Sequence, residues 1–175
     1  MKPIIYTVGH STRSIAEFIE ILKAHGIRRV VDIRTIPKSR HNPQFGEGQL
    51  KKSLRKAKIA YRHEPLLGGL RRARKDSVNL GWENLSFRGF ADYMQTDDFE
   101  KGLEKLQKLA MKSPTTVMCA EAVPWRCHRS LVADALKKKK WRVLHIMSRT
   151  SAHEHKYTSF LRSRNGKLIY PGSKT

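Results

Sequence analysis

One short segment, Met118-Cys-Ala-Glu-Ala-Val-Pro-Trp-Arg-Cys-His-Arg129, holds a carboxylate, an imidazole, two guanidinium groups and both cysteines of the chain. It follows an apolar run, Thr115-Thr-Val-Met118, and precedes a helical pattern, Leu131-Val-Ala-Asp-Ala-Leu136. α/β proteins often build active sites at such strand-to-helix turns. Cys119, at the strand end, is the candidate nucleophile. Cations and a helix dipole lower a thiol's pKa from about 8.5, and His128, Arg126 and Arg129 could supply that field. The alternative is a buried structural thiol. Cys127 reads as helix packing or as a resolving thiol. Glu121 is a candidate general acid or base, or else the salt-bridge partner of Arg34 or Arg129.

The same residues allow a metal reading. Cys119, Cys127, His128 and His10 are soft or borderline ligands for zinc or iron. No closely spaced Cys pair is matched by a second pair elsewhere, so no metal is favoured. The Cys-Ala-Glu triplet matches one half of the zinc deaminase signature. The other half, a separate Pro-Cys-x-x-Cys, is missing, because no cysteine follows Cys127.

Other polar groups stand at the ends of apolar runs. Gly9-His10-Ser11-Thr12 follows the first strand. It could cradle an anion on backbone N–H groups, with Arg13 nearby, or Ser11 or Thr12 could simply cap the helix that follows. Asp32 and Arg34 close the second strand and could form an ion pair orienting the rim. Ser39-Arg-His-Asn42 and Phe45 form a polar loop whose aromatic ring could stack a base or tuck back into the protein. His10 and His128 are candidates to assist in proton transfer. Ser11, Arg13, Asp32, Arg34, Ser39, Phe45, Arg126 and Arg129 are the candidate substrate- or phosphate-binding residues.

The elements that must position these groups are readable from periodicity. Ile4 to Val8 and Arg29 to Ile33 are apolar, β-branched strands. Between them Ile15, Phe18, Ile19 and Leu22 recur at helical spacing behind Ser14-Ile-Ala-Glu17, which has capping-box spacing. Gln49 to Lys58 reads as a helix and Ile59 to His63 as a strand. Residues 71–87 read as a basic insertion, mobile unless a ligand orders it. Phe87 to Met94 and a longer stretch capped at Asp97 read as helices, the second with Phe99, Leu103, Leu106 and Leu109 buried. Thr115 to Cys119 is a strand, 125–140 a helix and Arg142 to Met147 the last strand. Residues 148–175 form a basic tail without a period. This alternation predicts one α/β domain over 1–175, with a core at about 4–147. Its mostly parallel sheet carries helices on both faces. The carboxyl ends of the strands then bring His10, Asp32, Arg34, His63, Glu64, Cys119 and Glu121 to one rim.

Bulk composition constrains the partners. The 175 residues include 36 Lys plus Arg against 15 Asp plus Glu, a net charge of +21. Such a field attracts polyanions, so DNA or RNA is the expected partner, though charge alone selects no sequence. No apolar run approaches the ~20 residues of a membrane span, and the start lacks a signal peptide's apolar stretch. A cytoplasmic location is therefore expected, without a membrane partner. Two cysteines in one turn are not a secreted disulfide framework. No cofactor motif is present, and oligomeric state is not encoded in any pattern.

The motifs Gly9-His-Ser-Thr12, Val31-Asp-Ile-Arg34, Pro37 with Ser39, Asn42-Pro-Gln-Phe45, Leu67-Gly-Gly69, Phe87-Arg-Gly-Phe-Ala-Asp-Tyr-Met94 and Met118 to Arg129 together resemble the domain of unknown function 488 family. The resemblance covers about residues 4–147, and the tail also fits. Ile33 stands where the family commonly has Val. The resemblance implies a compact α/β bacterial- or archaeal-type cytoplasmic protein and supplies no reaction. The residues themselves point to an enzyme acting on nucleic acid or a nucleotide-like anion, in repair or processing of modified bases. A non-catalytic nucleic-acid-binding module is the alternative. A thiol-dependent sulfur or phosphoryl transfer enzyme on a small substrate is the third reading.

Overall fold

The first strand, β1 (Ile4–Gly9), feeds helix α1 (Ile15–Ala24), whose N-cap Ser14 accepts a hydrogen bond from the Glu17 N–H. Ser14, not Ser11 or Thr12, is thus the cap. The computed structural model describes residues 1–173. The chain continues through β2 (Arg29–Asp32), α2 (Glu47–Lys56), β3 (Ala60–His63), α3 (Leu85–Tyr93), α4 (Asp97–Lys112), β4 (Thr115–Cys119), α5 (Arg129–Lys138) and β5 (Arg142–Ser148). Strands β1 to β5 are mutually parallel in the order β3-β2-β4-β1-β5. The fold is α/β with a mostly parallel sheet.

Alternation along the strands divides the core. Val8, Val30, Met118 and Ile146 pack with Phe18, Leu22, Leu50 and Leu54, so α1 and α2 cover one face. Ile5, Val31, Val117, Cys119 and Val143 pack with Phe90, Leu103, Leu131 and Leu136, so α3, α4 and α5 cover the other. Strand β4 is buried at all five residues, as a strand with neighbours on both edges and helices on both faces must be. The crossovers leaving the adjacent strands β1 and β4 run over opposite faces. A parallel sheet opens a crevice for ligands at such a reversal.

Three features differ from the pattern read in the sequence. The helix expected over 125–140 is a 3-10 turn, Pro124–Arg126, then an extended Cys127 and then α5. Thr96, rather than Asp97, caps α4 by accepting from the Phe99 N–H. Beyond Met147 the tail is regular. A strand β6 (Ser151–Glu154) adds antiparallel to β5, and β7 (Arg162–Arg164) and β8 (Lys167–Ile169) form a hairpin. Its last described stretch is anchored by Tyr170, fully buried, whose N–H donates to Asn79 and whose hydroxyl donates to Asp134. The basic stretch 71–84 has no helix or strand. It is tied to α3 by Asp92, which accepts from the Arg74 N–H, the Ser77 hydroxyl and the Asn79 amide. No helix among the described residues is long and apolar enough to cross a membrane.

Candidate active site

Cys119 is the last residue of β4, and its side chain faces the α5 side of the sheet. The chain then loops out through Ala120, Glu121 and Ala122, all exposed, and returns by the 3-10 turn. Cys127 is extended (φ −141°, ψ 147°), which breaks the helical path just before α5. The break brings the Sγ atoms of Cys119 and Cys127 and a ring nitrogen of His128 within 4.8 Å of one another. Two devices hold the loop above them. Arg129, 1% exposed, donates through its guanidinium to the main-chain carbonyls of Glu121 and Ala122. Gly9 lets the same segment pass, because a Cβ there would stand 1.6 Å from the Glu121 carbonyl oxygen.

The imidazole of His128 is fixed by what its far nitrogen touches. Nε2 lies 3.1 Å from both the Ile33 and the Leu67 carbonyl oxygens. Carbonyls only accept, so Nε2 carries a proton and Nδ1 is the nitrogen turned toward the sulfurs, a donor to a thiolate when the ring is protonated and a lone pair when it is not. Nδ1 lies 3.7 Å from Cys127 Sγ. Phe90 packs edge-on against the ring, and Gly69 sits so close that a Cβ there would be 2.6 Å from Nδ1.

The two thiols are driven apart in acidity. The Cys127 S–H, donating to Cys119, holds the Cys119 thiol well below its ordinary value against the opposing effect of burial; His128 adds to the lowering. Burial, and then the neighbouring Cys119, push Cys127 well up. The pair is therefore unequal in acidity, with Cys119 the more acidic sulfur and Cys127 the less. The Arg129 N–H, 3.4 Å from Cys127 Sγ, is a second donor to this sulfur pair at the N-terminus of α5.

A buried ion pair borders the thiols. Arg34 grips Asp32 with both arms of its fork, at 2.9 and 2.7 Å, and Tyr61 donates to the same carboxylate at 2.6 Å. His10 donates from Nδ1 to the Ser11 carbonyl, leaving Nε2 to accept from Arg34 at 3.4 Å. Burial lowers the His10 pKa, so the ring is neutral at pH 7. It stacks on Phe45 at 4.3 Å between centroids.

A cleft of about 480 Å³ opens over the cysteines. Its lining includes Arg34, Lys38, Cys119, Glu121, Arg126 and His128. Of the residues singled out in the sequence, Arg34, Cys119, Glu121, Arg126, Cys127 and His128 line it, whereas His10, Asp32, His63 and Glu64 do not: His63 Nε2 bonds the Arg34 carbonyl and Glu64 accepts from the Leu66 N–H. Others serve the scaffold. Phe45 is fully buried and packs on His10, so it offers no face to a base. The Ser39 hydroxyl accepts from the Asn42 N–H. Arg13 bonds the Gly9 and Met147 carbonyls and reaches Glu17. The N–H groups of His10 and Ser11 donate to the Cys119 and Ala120 carbonyls and are spent on backbone pairing rather than on an anion. Glu121 makes no ion pair with Arg34 or Arg129; Arg34 is committed to Asp32, and Arg129 binds carbonyls. His10 is not one of the three clustered metal-type ligands, because both its ring nitrogens are engaged elsewhere.

The far wall, with Gly69, Asn84, Ser86 and Phe87, was not singled out as site from the sequence. Only the Leu-Gly-Gly and Phe-Arg-Gly-Phe motifs hinted at it. A second polar cluster was also missed. Asp134 accepts from His155 Nε2 at 2.7 Å, His155 Nδ1 faces His145 Nε2 at 2.9 Å, and His145 Nδ1 faces the Thr7 hydroxyl at 2.6 Å. The signal available was His145 at a core-facing position of an otherwise apolar strand.

The chain matches a family model described as domain of unknown function DUF488 over residues 14–136, a stretch that includes Arg34, Cys119, Cys127 and His128. No curated protein and no solved structure matches it.

Proposed function

The chain belongs to the DUF488 family, and we propose that it is a thiolate enzyme acting on nucleic acid or a nucleotide-like anionic substrate, with Cys119 as nucleophile. The observation that carries this reading is the thiol pair. Cys119, the more acidic of the two, lies within 4.8 Å of a second thiol and an imidazole, in a cleft whose lining carries Arg34, Lys38 and Arg126. A thiolate, not a thiol, attacks an electrophile. Its lone pair forms the bond from sulfur to the electrophilic atom of the bound substrate, and the leaving group departs with the electron pair of the bond that breaks. Hydrolysis of the adduct restores the thiolate. Glu121, at the rim and free of any ion pair among the described residues, is the group positioned to take the proton of that water. Arg126 and Lys38 meet the phosphates, while Arg34, tied to Asp32, presents a fixed positive edge.

Alkylation tests the reading. In chelator-treated protein at neutral pH, Cys119 reacts with iodoacetamide far faster than Cys127, and an added oligonucleotide slows that reaction. Equal, slow labelling of both cysteines removes the thiolate enzyme. The second reading is a binding module without catalysis, favoured by the net charge of +21. It predicts nucleic-acid binding that survives Cys119→Ser and Glu121→Gln together with thiols that label alike.

A further inference from the structure

We infer that Cys119 Sγ, Cys127 Sγ and His128 Nδ1 form a three-ligand site for a zinc-class divalent cation, with a fourth position open to the cleft. The inference rests on the same cluster as the proposed thiolate enzyme but not on its reaction.

The ligand set is the first argument. Two thiolates and one imidazole suit zinc, and three protein ligands with one open position are the arrangement of catalytic rather than structural sites. Distances are the second. Tetrahedral zinc with Zn–S near 2.3 Å and Zn–N near 2.0–2.1 Å needs S···N edges of roughly 3.6 Å and an S···S edge of roughly 3.8 Å. Cys127 Sγ and His128 Nδ1 already stand 3.7 Å apart, and no pair among the three donors exceeds 4.8 Å. Side-chain rotations of a fraction of an ångström to about an ångström close the triangle, without movement of β4 or α5.

The surroundings are the third argument, and they are independent of the ligands. Metal-binding histidines donate their other ring N–H to a carbonyl or carboxylate, which fixes the tautomer and aims the lone pair at the ion. His128 has that arrangement twice over, with Nε2 at 3.1 Å from the carbonyls of Ile33 and Leu67. The backbone N–H of Arg129 donates to Cys127 Sγ, a contact that stabilises a sulfur carrying charge. Gly69 leaves the Nδ1 side uncrowded, since any Cβ there would press on that nitrogen.

On binding, each of the three atoms contributes a lone pair, and any proton those atoms carry leaves to solvent. Arg34 and Arg126 line the same cleft, so the ligand expected at the open position is water or an oxygen of an anionic substrate.

Cobalt(II) reports the site directly. Untagged protein, stripped with chelator and kept free of oxygen, is titrated with cobalt(II) and then zinc(II). The expected result is one equivalent of cobalt giving a sulfur-to-cobalt charge-transfer band and the intense visible bands of a tetrahedral ion, displaced by one equivalent of zinc. X-ray absorption of the zinc-loaded wild type then gives two sulfurs and one nitrogen from protein. Cys127→Ser and His128→Gln each weaken binding by more than the about 10–100-fold typical of an outer-shell change, with far-ultraviolet circular dichroism unchanged. Absence of the charge-transfer band in wild type overturns the site, as does a band that persists undiminished in both variants. Rapid alkylation of Cys119 in stripped protein without any cobalt band leaves the thiolate enzyme standing and removes the cation. A cobalt band with slow alkylation of stripped protein does the reverse.

Discussion

Cys119 and Cys127 are the same chemical group pushed in opposite directions by a contact between them, so each must be judged through the other. The largest influence lowering Cys119 is the hydrogen bond from Cys127, with His128 after it. Cys127→Ala removes that donor. The pH profile of Cys119 alkylation in stripped protein is expected to move upward, so that the reactive form is lost at a higher pH than in wild type. The sign is fixed: a folded-state pKa below the ordinary thiol value keeps the thiolate populated as pH falls, and losing the donor ends that protection sooner. His128→Gln moves the profile the same way by less. A Cys127→Ala profile superimposable on wild type would mean that the two sulfurs do not communicate. Glu121→Gln, by contrast, leaves the alkylation profile in place, because the exposed carboxylate touches neither sulfur.

At the scale of elements, α5 is held to the sheet and the tail by one buried carboxylate. Asp134 accepts from His155, from the N–H and hydroxyl of Thr158, and from the Tyr170 hydroxyl. Its charge orders the protons beyond it: His155 must donate from Nε2, which leaves Nδ1 to accept from His145, whose own Nδ1 then accepts from Thr7. Asp134→Asn replaces one acceptor oxygen with a donor facing other donors. At about 1.5–3 kcal/mol per charge-assisted bond, the loss is expected near 3 kcal/mol, seen as a lower urea midpoint with an unchanged slope. Burial lowers the His145 pKa to about 3, so His145 is neutral when folded. Unfolding lets it bind a proton, so its stabilisation is complete above about 6.5 and is lost between there and about 3, at roughly 1.4 kcal/mol per pH unit. His145→Gln should flatten that limb; an acid limb identical to wild type would count against the buried neutral ring. These elements also mark how far the sequence could be read. The alternation of strands and helices, the burial of Phe99, Leu103 and Leu106 on α4 and the convergence of Arg34, Cys119 and Glu121 follow from periodicity and from the parallel-sheet rule, while Leu109 at the end of the stripe is only half-buried. The extended Cys127 was hidden because Trp125 to Lys140 has no glycine or proline to mark the interruption. Strands β6 and β7 were hidden because they are polar and largely exposed, so no apolar alternation betrays them. Phe45 was misjudged because its polar neighbours describe the loop and not the ring.

At the scale of the whole molecule, charge is what an anionic partner meets first. The net charge of +21 is spread over α2 and the tail as well as the cleft, while the exposed ion pairs, such as Arg74 with Asp76 and Lys139 with Glu100, neutralise little of it. Lys38 and Arg126 stand at the mouth of the cleft without an ion-pair partner among the described residues. A nucleic acid lying across that mouth displaces counterions from each phosphate it brings to a cation. If six to ten phosphates are engaged, affinity falls by about 10³–10⁵ between about 50 and 200 mM salt, with a log–log slope near −0.9 per phosphate on duplex. Replacing Lys38 and Arg126 together with alanine is expected to shallow the slope by roughly two. Cys119→Ser leaves the slope unchanged, because Cys119 does not touch phosphate. Equilibrium binding across a salt series separates these cases. A double variant with the wild-type slope would mean that the polyanion sits elsewhere on the basic surface, away from the thiols. Attraction by the field would then have nothing to do with the chemistry, since only binding at the mouth delivers a nucleotide to Cys119.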